Sequence, residues 1–151
     1  MPLTGFNKEE TVLVVDTREQ LPFEFRDSGI HVVHQALPAG DYSILGYEDQ
    51  VAVERKTLDD FASTVIRSRE RFHRELKRFQ EYKAACIVVE GSMGDLLQRK
   101  YKSYAHPQSI FGAMISIIVD YGIPVFFCTN RQVARVFTEK YLLRFKRKAT
   151  S

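Results

Sequence analysis

The sequence predicts an α/β fold in which a central mixed sheet is flanked by helices. Two apolar, β-branched runs, TVLVVD at 11–16 and ACIVVE at 85–90, are typical of buried strands. Helical patterns at 57–83 and 107–121 alternate with such runs along the chain. The 151 residues, 44% of them hydrophobic, suffice for one domain with a substantial core.

Shorter signals predict the remaining elements. Residues 31–37 form a second apolar run, and strands expected at 41–45 and 51–54 flank a turn-rich segment, as in an antiparallel hairpin. Pro107 and Gly122 bound the helix at 107–121. The other predicted features are a helix break near Ser68, a short helix at 93–99, a strand at 123–128, and a last helix capped by Thr129 or Asn130 and ending near Phe145.

Composition excludes several classes of protein. No apolar run approaches the roughly 18 residues of a membrane span, and MPLTGFNKEE lacks the apolar segment of a secretion signal. Cys86 and Cys128 lie in strand-like runs, which indicates buried thiols and an intracellular location: cytoplasm or nucleoid in a prokaryote or phage, nucleus in a eukaryote. His31 and His34 would point to opposite faces of a strand, so they do not form a metal pair.

Charge is unevenly distributed along the chain. Residues 65–83 carry seven basic and three acidic side chains, and residues 131–151 carry seven and one. The first 60 residues hold 12 of the 19 carboxylates. This pattern favours a polyanionic partner beside a carboxylate-rich centre, although basic runs on solvated helix faces would give the same counts.

The helix around residue 72 is predicted to have two chemically different faces. At about 100° per residue, an apolar stripe opposes an arginine ridge that could bind phosphates or lie in solvent. Arg69 falls about 40° from the centre of the stripe, either at the core edge with a carboxylate partner or beside an active centre. The stripe comprises Val65, Phe72, Leu76, Phe79 and Lys83, and the ridge comprises Arg67, Arg71, Arg74 and Arg78.

Three residues on the predicted hairpin suggest phosphodiester chemistry. Asp41 precedes one strand, and Glu54 and Lys56 lie near the end of its partner. Glu54 and Lys56 share a strand face, so two carboxylates and an amine can meet in one cavity. Mg²⁺ prefers such hard oxygen ligands, and Lys56 can orient the attacking water and neutralise charge on the phosphate. Arg55 points to the opposite face.

Further acidic residues have two possible roles. Asp16 ends the first strand and is either a metal ligand or a turn cap, and Arg18 and Glu19 follow it. Asp60 lies in the first turn of the next helix, where it would support the site or complement the helix dipole.

The motifs V-D-T-R-E at 15–19, G-D-Y at 40–42 and E-R-K-T-L-D-D at 54–60 together resemble those of the XPF-type structure-specific endonucleases. Arg71-Phe72 and the strand ending in Glu90-Gly91 are similar to later positions of that family. The resemblance covers roughly 11–140. It implies a restriction-endonuclease-like, PD-(D/E)xK fold over a nuclease domain at 11–145, preceded by an extension at 1–10 and followed by a basic tail at 146–151.

The resemblance also implies the site. Asp41 and Glu54 would hold Mg²⁺, or Mn²⁺ as a substitute, with Asp16 nearby and Lys56 as the catalytic lysine. Glu19, Arg18, Arg55 and Asp60 would be active-site neighbours, and either Arg69 or Arg71 the active-site arginine. Many relatives carry helix-hairpin-helix elements after the nuclease domain that are missing here, so we expect a stand-alone nuclease domain. Relatives also often dimerise through the last helices of this domain. A homodimer through 107–145 is therefore expected, although its apolar residues could all be core.

We therefore predict a metal-dependent DNA endonuclease acting on branched or otherwise structured DNA, with no membrane partner and no small-molecule cofactor. A catalytically silent DNA-binding or dimerisation module and a nuclease acting on RNA are the alternatives. Tyr101 and Tyr104, between lysines, could stack on unpaired bases or pack on the surface. The tail at 146–148 could hold phosphates or be a disordered end.

Overall fold

The computed structural model describes residues 11–25, 30–67 and 69–151. The predicted extension at 1–10 and the predicted break at Ser68 lie outside the described residues. The described strands are β1 (Thr11–Val15), β2 (Ile30–His34), β3 (Tyr42–Ile44), β4 (Val51–Thr57), β5 (Ala84–Glu90) and β6 (Val125–Phe127). The described helices are α1 (Leu58–Arg67), α2 (Arg69–Gln80), α3 (Met93–Leu97), α4 (Pro107–Tyr121) and α5 (Arg131–Thr150).

The strands form one mixed sheet in the order β2-β1-β3-β4-β5-β6. Strand β3 is antiparallel to both of its neighbours, whereas the β1–β2, β4–β5 and β5–β6 pairs are parallel. The predicted β3–β4 hairpin is confirmed. This topology brings the carboxyl ends of β1, β4 and β5 and the amino end of β3 to one edge of the sheet, which we call the catalytic edge.

Helices cover both faces of the sheet, as predicted for an α/β protein. On one face, Phe61 of α1, Phe72 of α2 and Ile110 of α4 share a buried cluster with Ala52 and Ile87. On the other face, Leu142 of α5 belongs to a second cluster with Val53 and Val88. Neighbouring residues of β4 and β5 thus enter opposite clusters, because side chains alternate along a strand.

The amphipathic stripe predicted for the helical region is confirmed at Val65, Phe72, Leu76 and Phe79, which are all buried. Lys83 was wrongly included, because α2 ends at Gln80 and Lys83 is exposed before β5. The region consists of two helices, α1 ending at Arg67 and α2 beginning at Arg69.

The two later helices are bounded by the predicted caps. Helix α4 follows His106, whose ring accepts a hydrogen bond from the Gln108 amide, and it ends at Gly122 in the left-handed conformation, with φ of 69°. The Asn130 side chain caps α5 by accepting from the Val133 amide. Helix α5 continues to Thr150, so the basic residues at 146–148 extend this helix rather than forming a separate tail. No helix in the described ranges is both long and apolar enough to cross a bilayer.

Candidate active site

Asp41 is positioned by the turn that precedes β3. Gly40 has a φ of +77°, and a Cβ there would lie only 3.0 Å from the Cβ of Ala52, so this tight turn requires glycine. The Asp41 amide donates to the Val53 carbonyl at 2.9 Å, and the Arg55 amide donates to Asp41 Oδ2 at 2.8 Å. Two hydrogen bonds with β4 therefore hold Asp41 at the catalytic edge.

Glu54 and Lys56 leave β4 on the face covered by α1 and α2. Lys56 Nζ lies 3.4 Å from Glu54 Oε2 and 5.9 Å from the centroid of the Phe72 ring. The Glu54 carboxyl group is within hydrogen-bonding reach of the Asp41 carboxyl group. The structure therefore brings together Asp41, Glu54 and Lys56, as their spacing predicts.

Burial gives this carboxylate pair unusual electrostatics. Burial chiefly, with a further contribution from the negative charge of Glu19, raises the pKa of Asp41 to about 6, although the Arg55 amide opposes the shift. Burial and the charge of Asp41 raise the pKa of Glu54 well above its usual value, and Lys56 offsets only part of the shift. Two adjacent buried carboxylates repel each other when both are ionised, so they need a shared proton or a cation between them.

The donor set fits a divalent ion that retains much of its water. Mg²⁺ is commonly held by one or two carboxylates with several waters, which is what Asp41 and Glu54 offer. In the described parts of the chain, no group of three or more His, Cys, Asp or Glu side chains is close enough to hold a metal. The sequence predicts three ligands, and the structure brings two of them together.

Asp16, the third predicted ligand, is turned to other partners. Its buried carboxylate accepts hydrogen bonds from the Arg18 guanidinium at 2.9 Å and from the Leu37 amide at 2.8 Å. Burial alone would raise the pKa of Asp16, but these hydrogen bonds outweigh it and hold the pKa below its usual value. These contacts fit the turn-capping alternative, and the assignment of Asp16 to the metal stays a prediction.

Arg55 and Glu19 occupy the opposite face of β4 and bind each other. Arg55 Nε and Nη2 donate to the two Glu19 carboxylate oxygens at 2.9 Å each, and Nη1 donates to Glu90 Oε1 at 2.6 Å. The Arg55 side chain is only 11% exposed. The Arg55 guanidinium therefore binds two carboxylates, and a contact of Arg55 with nucleic acid stays a prediction. Glu19, predicted to be catalytic, binds Arg55 and acts on Asp41 through its charge.

The remaining predicted arginines are on the surface. Arg67, Arg69, Arg71, Arg74 and Arg78 are all exposed. Arg78 Nη1 donates to the Pro38 carbonyl at 2.9 Å, whereas Arg69 lines a cavity of about 490 Å³ between α2 and α4. The exposure of Arg69 does not support its predicted position at the core edge. Arg18 is 72% exposed, and its charge also acts on Asp41 and Glu54.

Glu75 of α2 is a site residue that the sequence analysis missed. The pKa of Glu54 is raised by burial and by the charge of Asp41, and Lys56 lowers it. The negative charge of Glu75 is a smaller cause that raises the same pKa, so this face of α2 lies towards the site. Arg71 lies one turn before Glu75 on the same helix face. The signal available in the sequence was the four-residue spacing of Arg71, Glu75 and Phe79. Asp60, by contrast, is exposed in the first turn of α1, where the Thr57 hydroxyl caps its amide at 3.1 Å.

The fold and this site match one protein family. The model of the ERCC4 domain matches residues 15–139. The chain is 30% identical over 125 residues to the putative ATP-dependent RNA helicase MJ1505 of Methanocaldococcus jannaschii, covering 83% of this chain and 14% of that protein. It is 31% identical over 137 residues to the 3′-flap repair endonuclease Xpf of Saccharolobus solfataricus, covering 85% of this chain and 55% of that protein.

Solved structures agree with the family match. XPF from Aeropyrum pernix superposes with a TM-score of 0.69 at 27% identity, covering 92% of this chain and 67% of that one. The complex of the same protein with DNA gives 0.68 at 28% identity, covering 93% and 66%. The fold is therefore a restriction-endonuclease-like nuclease fold, and the chain belongs to the ERCC4 domain family. It is an XPF-type nuclease domain, and it spans 14% and 55% of the two curated relatives.

We expect the metal-free protein to lose stability as the pH rises. A carboxyl group with a raised pKa stabilises the fold below its unfolded pKa of 3.8, and this contribution is lost as the pH passes through about 6. In EDTA, urea unfolding should give a free energy of unfolding about 1–3 kcal/mol lower at pH 8 than at pH 5. Asp41→Asn should make the free energy of unfolding nearly independent of pH over this range. Mg²⁺ should restore stability at pH 8 in the wild type only.

Asp60→Asn is the control for that experiment, because it removes an exposed carboxylate outside the pair. Its profile should follow that of the wild type. A wild-type profile as flat as that of Asp41→Asn would contradict the assignment of two buried, repelling carboxylates.

Arg55→Met should destabilise the protein by about 3–5 kcal/mol, since it leaves Glu19 buried without its cation and leaves Glu90 with only Arg131, at 3.6 Å. Urea unfolding measures the loss. The matched control is Lys100→Met, whose ammonium group pairs with Asp95 at 3.7 Å on the surface and should cost less than about 1 kcal/mol. Equal losses in the two variants would show that the buried network is not structural.

Proposed function

We propose that this chain is a magnesium-dependent endonuclease that cleaves branched DNA. The observation that carries the proposal is the juxtaposition of two buried carboxylates, Asp41 and Glu54, with the Lys56 amine 3.4 Å from Glu54. An apolar core gains nothing from such a pair, because burial of like charges is costly. Family membership supports the same chemistry.

Asp41 and Glu54 would hold the metal ion. When bound, Mg²⁺ lowers the pKa of a coordinated water and neutralises charge on the phosphate oxygens. The protein fixes Asp41 through three backbone groups: its amide donates to the Val53 carbonyl, its carboxylate accepts from the Arg55 amide, and its carbonyl accepts from the Asp16 amide just after β1. Arg55 contributes its amide to this arrangement, and its side chain takes no part in the chemistry.

Lys56 supplies the hydrogen-bond donor of the proposed site. Its ammonium group lies between the Glu54 carboxylate and the Phe72 ring, and only 15% of its side chain is exposed. From this position it can donate a hydrogen bond to a phosphate oxygen or orient the attacking water for in-line displacement. The aliphatic stem is held by packing, so its position is largely set before the substrate binds.

Exposed arginines would bind the DNA backbone around the site. Arg71 is our proposed active-site arginine, because it shares a helix face with Glu75, whereas Arg69 faces the cavity towards α4. Arg18 is exposed next to Asp41 and Glu54 and can reach a phosphate while its other edge stays on Asp16. Arg67, Arg74 and Arg78 would extend this phosphate-binding surface along the helices.

The preference for DNA, and for branched DNA, is supported by the relatives. One relative is described as a 3′-flap endonuclease, and a structural neighbour is a complex with DNA. The proposed hydrolysis fits RNA equally well, so RNA cleavage is an alternative outcome. A silent DNA-binding module is disfavoured because Asp41, Glu54 and Lys56 are all present and adjacent.

We expect Lys56→Ala to lower the cleavage rate at least about 100-fold while leaving DNA affinity in EDTA within a few-fold of wild type. Cleavage is measured on fluorescent flap, fork and plain duplex DNA, and on matched RNA, with Mg²⁺, Mn²⁺ or EDTA. Lys140→Ala is the control, because it removes an exposed lysine on α5. Undiminished cleavage by Lys56→Ala or Asp41→Asn, or cleavage in EDTA, would refute the site. DNA binding with no turnover in any metal would favour the silent module.

We also propose that the chain forms a homodimer through the 107–145 region. In this region Ile110, Met114 and Ile117 are buried, but Ile115, Ile118 and Val119 of α4 are exposed. Phe126 of β6 and Val133 of α5 are exposed in the same region of the chain. Exposed apolar side chains of this kind mark association surfaces when they are contiguous.

The dimer should dissociate when charge is introduced on α4. Light scattering should give a dimeric mass of about twice 17.5 kDa for the wild type and a monomeric mass for Ile118→Glu/Val119→Glu, with unchanged circular dichroism. The control Gln98→Glu adds a charge at an exposed polar position outside the 107–145 region and should remain dimeric. A monomeric wild type at micromolar concentrations contradicts this proposal.

A further inference from the structure

Tyr104 exposes its aromatic ring to solvent to an unusual degree. Its side chain is 95% exposed, more than any other large apolar or aromatic residue in the described ranges; the next, Val119, is 72% exposed. An aromatic ring in water forgoes the favourable transfer that drives burial. Such a ring would gain free energy from a ligand that covers it.

The loop that carries Tyr104 is braced rather than loose. We define the α3–α4 loop as residues 98–106. The Lys102 amide donates to Asp59 Oδ1 at 2.7 Å, and the Tyr101 hydroxyl donates to the Ala105 carbonyl at 2.7 Å while the Tyr101 ring packs against the core. The Ala105 amide also donates to Ser103 Oγ at 3.1 Å. These contacts lie on both sides of Tyr104 and hold its ring outward.

The α3–α4 loop lies at the catalytic edge. Asp59, which holds the loop, is in the first turn of α1, three residues after Lys56 on the continuous β4–α1 segment. The loop also carries three exposed cations shortly before Tyr104: Arg99, Lys102 and Lys100, of which Lys100 pairs with Asp95 at 3.7 Å. An exposed ring among cations is the combination used to bind single-stranded nucleic acid, where bases stack on the ring and phosphates contact the cations.

We infer that Tyr104 is a stacking platform for an unpaired base next to the scissile phosphate, and so a residue that determines substrate specificity. This inference rests on the proposed function, since it assumes a branched DNA substrate. In a duplex the base faces are covered by their neighbours, so the ring gains contact only where a base is unpaired. Tyr104 thereby favours substrates with a single-stranded arm over plain duplex.

The test uses the full chain with DNA in EDTA, so that binding is measured without turnover. The probes are a flap whose single-stranded arm carries 2-aminopurine and a plain duplex of the same length. Tyr104→Ala should weaken flap binding about five- to 100-fold and abolish the stacking-induced change in 2-aminopurine fluorescence, leaving duplex affinity within twofold. Tyr104→Phe keeps the ring and should behave as wild type in both measurements. Thermal unfolding should be unchanged, because the side chain is 95% exposed.

The outcomes separate this inference from the proposed function. Wild-type affinity and fluorescence in Tyr104→Ala, or an equal loss on flap and duplex, overturns the stacking role even if the enzyme cleaves DNA. Tyr104-dependent flap binding with no cleavage in any metal supports the stacking role and refutes the nuclease. Failure of the wild-type chain to bind the flap overturns both.

Discussion

Arg55 links the parts of the chain that build the site. Its amide fixes Asp41, and its guanidinium joins Glu19, after β1, to Glu90, at the end of β5. Arg131 of α5 approaches the second Glu90 oxygen at 3.6 Å and lies 4.9 Å from the centroid of the Phe23 ring. One residue of β4 therefore sets the relative position of three segments that meet at the catalytic edge. A buried network of this kind is expensive to assemble but strongly disfavours any other register.

Strand β4 also explains why the two faces of the sheet differ in their charge balance. Alternation sends Glu54 and Lys56 under α1 and α2, and Arg55 to the face covered by α5. Charge is neutralised within the protein on the Arg55 face. On the Glu54 face the carboxylates outnumber the cations, which leaves an excess of negative charge that a metal ion and the exposed arginines would neutralise. The site thus gives up stability for binding, as active sites commonly do.

Local signals in the sequence were sufficient for the elements and for the central site residues. Pro107 and Gly122 defined α4 to the residue, and the hairpin with its period of two was enough to bring Asp41, Glu54 and Lys56 together. Other features depend on distant partners. Asp16 at a strand end has the same sequence signal whether it binds a metal or Arg18, and Arg55 pairs with residues 36 and 35 positions away. Glu75 was missed because its position between the arginine ridge and the apolar stripe does not show which partner that side of α2 faces. Nothing in the sequence separates the packed Tyr101 from the exposed Tyr104.

Charged contacts and aromatic contacts contribute differently to the recognition of DNA: the first to affinity, the second to selectivity. Phosphates are the same in plain and branched DNA, so the exposed arginines of α2 can supply affinity and salt dependence but little selectivity. Selectivity for structure requires contact with something that only an open strand presents, such as the face of a base. Tyr104 is the exposed ring beside the catalytic edge, held there by a contact to the same helix that begins where β4 ends. Under the proposed function, such a domain would discriminate between DNA structures through its own surface, because the continuous β4–α1 segment carries both Lys56 and Asp59, which holds the loop of Tyr104.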